Sequence, residues 1–128
     1  MDLIQLERTQ DGLTVRLTAQ PMGRDWNVTI TGGDRPHLGA AALGAPYRHA
    51  DGAIGASASV LVLPSHKEDI LVKQTAERLA KQLDCTVLVS GGIHVDHIEP
   101  GQISVFLSLA QDAADALARR LTGNRTPQ

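Results

Sequence analysis

The sequence predicts one α+β (or α/β) domain. Mostly antiparallel strands fill the N-terminal half, a βαβα half follows, and the helices pack on a mixed sheet. Three observations lead there. Leu13–Ala19 and Trp26–Thr31 alternate apolar and polar residues, the period of two expected of half-buried strands. Val72, Ala76, Leu79 and Leu83 recur at spacings of four, three and four, which is one stripe of a helix. At 128 residues the chain is long enough for one real core and short for two.

The elements follow in order. Leu3–Arg8 reads as a first strand, joined to the second by a turn at Gln10-Asp11-Gly12. Pro21-Met22-Gly23 ends the second strand, and the third ends at Gly32-Gly33. His37–Leu43 reads as extended, Pro46–Gly55 as a polar loop and Ala58–Leu63 as a strand. Ser65 and Glu68 have the spacing of a capping box, which places a helix start at Ser65. Thr86–Val89 is a short apolar strand continuing through His94 and Val95. Pro100 opens a final helix with Ile103, Phe106, Ala110, Ala113 and Leu117 on one face. Ile103–Leu107 read alone also suits a strand. Gly123 closes the helix, so the domain spans residues 1–123 and residues 124–128 form a frayed tail.

Composition narrows the partners. Trp26, Tyr47 and Phe106 are the only aromatic residues, too few for stacking single-stranded bases. A formal charge of −2 argues against binding a phosphate backbone. Neither nucleic acid nor membrane is expected: no segment approaches the roughly 18 apolar residues of a span. Met1-Asp2-Leu3-Ile4 does not resemble a signal peptide, and a single cysteine, Cys85, fits a reducing cytoplasm. Cys85 reads as a small structural residue.

Three motifs are candidates for ligand contact. Gly32-Gly33-Asp34-Arg35-Pro36-His37 offers successive N–H groups for an anion and a nearby guanidinium, or it is an ordinary hairpin turn. The run of small residues after it, Gly39 to Gly44, suits backbone held close to something else. Ser65, His66 and Lys67 stand at a strand-to-helix junction, where free N–H groups favour phosphate. Gly91-Gly92-Ile93-His94-Val95-Asp96-His97 puts His94 and Asp96 on one side of an extended chain, where a carboxylate can fix the imidazole tautomer, raise its basicity or share a metal, or the two are plain surface polar groups at a strand end. His37, His66 and His94 each lie by a strand end, so they are also candidate ligands of a divalent metal. His49 reads as exposed. No activated nucleophile is evident.

These three motifs, in this order, resemble the prenylated-flavin chaperone family, the LpdD-like proteins, from about Leu13 to Leu121. The resemblance implies a non-catalytic carrier that binds prenylated FMN (or FMN). It would deliver the cofactor to, or help mature, a UbiD-type (de)carboxylase, with a UbiX-type prenyltransferase as the source. Gly32, Gly33, Asp34, Arg35, His37, Ser65, His66, Lys67, His94 and Asp96 would then contact the cofactor. Trp26 or Tyr47 would stack on its ring, and a homo-oligomer would complete a pocket so poor in large side chains. Two other classes stay open: a small metal-dependent hydrolase or lyase using the histidines, and a regulatory or interaction subunit of a decarboxylase.

Overall fold

The computed structural model describes residues 3–63 and 68–123. Its strands are β1 (Ile4–Gln10), β2 (Leu13–Met22), β3 (Asp25–Gly33), β4 (Arg35–Arg48), β5 (Ile54–Val62) and β6 (Val87–His94). Helix α1 (Asp69–Leu83) connects β5 to β6, and α2 (Pro100–Gly123) ends the described chain. All six strands form one mixed sheet in the order β1-β2-β3-β6-β4-β5. It is a one-domain α+β fold.

The predicted stripes become the core. Val15, Leu17, Val28, Ile30, Val87 and Val89 point to one face of the sheet and are fully buried. Val72, Ala76, Leu79 and Leu83 of α1, and Phe106, Ala110, Ala113 and Leu117 of α2, pack on them. Ile103–Leu107 is helical, with Ile103 half-exposed. The small residues of β4 are explained by α1. A Cβ on Gly44 would come within 2.6 Å of the Ala76 carbonyl oxygen, so Ala40, Ala42 and Gly44 let the helix lie close to the strand. At those three positions the small side chains serve packing against α1.

The turn at Asp11-Gly12 is as expected, with φ of 53° and 76°, the conformation a two-residue hairpin requires. Several strand limits differ from the sequence reading: β1 runs to Gln10, β4 begins at Arg35, β5 begins at Ile54, and two strands continue through prolines. β2 continues through Pro21 to Met22, and β4 runs through Pro46 to Arg48, so only residues 49–53 form the loop before β5. Pro21 lies past the last β1–β2 pair (Ile4 with Ala19), and Pro46 past the last β4–β6 pair (Gly44 with Val87). On those sides the strand has no partner, so a missing N–H costs nothing.

The start of α1 also differs. Ser65 and the rest of residues 64–67 lie outside the described residues. Glu68, expected as the fourth residue of a capping box, sits at the N-cap position itself and makes no side-chain cap bond. Its carboxylate goes to His37 instead. α2 does use half of a capping box: the Glu99 N–H donates to Gln102 Oε1 at 2.9 Å, with Pro100 at the first helical position.

Candidate functional site

The hairpin reading of Gly32–His37 does not hold, and the topology gives the reason. β3 and β4 are joined by Asp34 alone yet do not pair; β6 lies between them. The connection therefore straddles the end of β6. His94 is paired with Gly33 on one side and Arg35 on the other. The Asp34 N–H donates to the His94 carbonyl at 2.6 Å, and the Asp96 N–H donates to Asp34 Oδ2 at 3.1 Å. Two glycine-histidine motifs, some sixty residues apart in sequence, are thus stitched into one corner.

Glycine is required here for two different reasons. Gly33 adopts φ of 78°, and a Cβ there would collide with the His94 carbonyl. Gly92 is needed for space, because a Cβ would overlap the His37 ring. A register shift between Pro36 and Ala40 bulges β4 and lays that ring over the Gly92 backbone.

The side chains then form a network. His37 Nε2 lies 2.7 Å from Glu68 Oε1, and the His37 and His94 rings meet edge to face with centroids 5.9 Å apart. His94 Nε2 is 2.9 Å from Asp96 Oδ1 and 3.2 Å from Arg35 Nη2. One ring nitrogen cannot donate and accept at once. Protonated, it donates to Asp96; deprotonated, it accepts from Arg35. The hydrogen bond from His94, helped by the charges of His94 and Arg35, holds the Asp96 carboxyl below the usual carboxylate range.

Beside this network is a cavity of about 160 Å³. Its walls are the straddling turn, from Gly32 to Pro36, with Thr14, Arg16 and Thr31. Thr14, Arg16 and Thr31 were not found from sequence. They lie on β2 and β3 as the polar half of each alternation, and only pairing of Val15 with Gly32 brings them alongside the turn. Arg16 is held by Glu7 across the β1–β2 pair. Two guanidiniums and two hydroxyls are the donor set that phosphate oxygens favour.

Other expected residues fall elsewhere. His66 and Lys67, like Ser65, lie outside the described residues. Trp26 pairs with Val87 at the opposite end of β6 from His94, and it packs on the core. Tyr47 lies at the far end of β4 against His49, ring centroids 5.0 Å apart. Neither candidate for ring stacking is at the site, because each stands several strand residues away at about 3.3 Å apiece. His49 is exposed and Cys85 buried, as expected. Among the described residues, no three His, Cys, Asp or Glu side chains are grouped to hold a metal ion. No helix among them is long and apolar enough to cross a membrane.

The sequence model of the prenylated flavin chaperone LpdD-like domain matches residues 9–122. The chain belongs to that family. The match spans the cavity, the straddling turn and the His37–His94 network of this LpdD-like domain. No curated protein matches the chain in sequence. Among solved structures it is similar to a chain from the crystal structure of a novel chaperone complex for yeast 20S proteasome assembly, with a TM-score of 0.50 and 10% identity. That alignment covers 89% of this chain and 99% of the other; at such identity the likeness is one of fold.

Proposed function

We propose that this LpdD-like protein is a non-catalytic carrier of prenylated FMN, taking the cofactor from a UbiX-type prenyltransferase and assisting its delivery to a UbiD-type (de)carboxylase. The observation that supports this reading best is the position of Arg35. It stands in the wall shared by the cavity and the imidazole network, so one residue links a phosphate grip to ring-edge contacts.

The residues fit the cofactor in part. The cavity suits the phosphate end: Arg16, Arg35, Thr14 and Thr31 supply donors, and Gly32, Gly33 and Asp34 supply close backbone. At about 160 Å³ it is smaller than the roughly 300 Å³ at which small-molecule pockets begin, so the ring system extends beyond it. His37, His94 and Asp96, joined to the cavity wall through Arg35, are the groups we assign to that extension, and Ser65, His66 and Lys67 complete the proposed contacts. Prenylated flavin supplies decarboxylation chemistry only in its client; here the protein's task is to hold and release it. Arg35 turning from His94 to a phosphate would free the imidazole to donate to Asp96.

Titration with FMN and with riboflavin tests the grip. Arg35→Ala is expected to weaken FMN about 10- to 100-fold, the value of a charge-assisted hydrogen bond, and to leave riboflavin unchanged. Protein co-expressed with a UbiX-type enzyme should co-purify with flavin, read by absorption and mass spectrometry. Colourless protein with no affinity for FMN sinks the reading.

A further inference from the structure

β5 closes the sheet on one side and β1 on the other. Register shows which groups of β5 look outward. The Leu63 N–H donates to the Gly39 carbonyl and the His49 N–H to the Ala53 carbonyl, so the odd-numbered residues of this ladder exchange bonds with β4. The N–H and C=O groups of Ile54, Ala56, Ala58 and Val60 therefore point away from β4, and among the described residues no strand pairs with them. Such an edge is normally guarded by charge, proline or a bulge. β1 carries Glu7 and Arg8. β5 has no charged residue and no proline, and it pairs with β4 without a register shift. At its start the edge meets a cavity of about 610 Å³, lined by Ala53, Ile54, Arg78, Lys81 and Gln82. Ile54 shares a face with its partner Arg48, whose guanidinium reaches Asp84 at the end of α1, so Ile54 faces the helix side of the sheet. Arg78 already gives Nε and Nη2 to Asp115. Lys81 is exposed and has no bonded anion among the described residues; Glu77, one turn back, is bonded to Lys73 instead. The cavity thus keeps a positive charge to be matched.

We propose that β5 takes up an extended acidic segment of a partner protein as a seventh strand, with one carboxylate of that segment in the Lys81 cavity. Backbone pairing along the edge supplies affinity, and the cavity selects the charge. A residue opposite Ile54 turns its side chain to the helix side, where Lys81 and Arg78 stand. Seven positions along β5, a residue opposite Leu61 turns to the other face. Leu61 is 80% exposed, so an apolar residue fits there. The segment is therefore a strand former spanning about 23 Å, with an apolar residue and an acidic residue at its two ends and on opposite faces. Antiparallel pairing, the commoner kind, puts the apolar end first. None of this depends on the carrier reading, whose cavity is walled by β2, β3 and the straddling turn.

The test is fluorescence anisotropy with a labelled, C-terminally amidated peptide, Leu-Thr-Val-Thr-Val-Thr-Val-Asp, titrated with the full chain. Micromolar binding is expected. Changing the peptide's Asp to Asn, or Lys81→Ala in the protein, should each weaken it about 10-fold, the loss of one charge-assisted hydrogen bond. The two changes together should cost no more than either alone. Ala58→Pro removes an outward N–H and no bond to β4, so it should abolish binding while circular dichroism stays unchanged. A peptide that does not bind overturns the proposal, as does one that binds equally well with Asn or to Lys81→Ala. If Ala58→Pro lowers the mass of the chain itself in sedimentation, the edge belongs to a second copy and the proposal falls. Should Ala58→Pro fail to fold, Lys81→Ala decides, because its side chain is exposed. Lys81→Ala should leave FMN affinity unchanged, which separates this edge from the flavin reading.

Discussion

At Gly91 the backbone takes φ of 139°, and a Cβ would fall on the Ile30 carbonyl oxygen of the neighbouring strand. Backbone cannot step aside as a flexible side chain can. Gly91→Ala is therefore expected to cost roughly 2–4 kcal/mol in urea unfolding. Gly101 is the contrast: in the first turn of α2, with nothing within 4 Å of an added Cβ, its change to Ala should be neutral or gain up to about 1 kcal/mol. Gly92→Ala belongs to a third kind. Its Cβ displaces the His37 ring, so the expected loss is in FMN affinity, measured by titration, more than in the unfolding midpoint.

Between elements, the fork from Arg78 on α1 to Asp115 on α2 ties the two helices, with N–O distances of 2.6 and 2.8 Å and Gln82 donating to the same carboxylate at 2.8 Å. The Arg78 hydrogen bond and the Gln82 contact hold the Asp115 carboxyl below its usual range against the opposing effect of burial. A carboxyl depressed in the folded state stabilises the fold above its unfolded value. That contribution fades as pH falls from about 4 through the lower folded value. Asp115→Asn should cost about 0.5–1 kcal/mol at neutral pH, since Arg78 is 40% exposed, and should flatten the acid limb of stability against pH. An unchanged acid limb would show that the fork is idle. The other helix contact is steric: Gly44→Val drives a side chain into the Ala76 backbone of α1 and should cost about 1–3 kcal/mol.

For the whole molecule, one sheet backs both helices and a single cluster runs from Ile4 to Leu121, so no part has a core of its own. Unfolding followed by Trp26 fluorescence and by far-ultraviolet circular dichroism should coincide in one transition. Much of this was legible in the sequence. The period-two alternation of Leu13–Ala19, the four-three-four stripe of α1 and the Asp11-Gly12 turn are local, and local sterics and burial decide them. Both glycine-histidine motifs were legible as unusual, and the family likeness named their class. Strand order was not legible. Nothing local in β6 says that it enters between β3 and β4, because parallel pairing across Trp26–Gly33 is set by which chains bury their apolar faces together. That insertion alone turns an apparent hairpin into a strap over His94. It recruits Arg16 and Thr14 from a strand read as ordinary, and it leaves Trp26 and Tyr47 at the wrong end. The sequence by itself determined the elements and the chemistry available, since propensity and periodicity act within a few residues. Only the tertiary structure decided which groups meet, because those contacts join residues distant in the chain and depend on the order in which the sheet assembles.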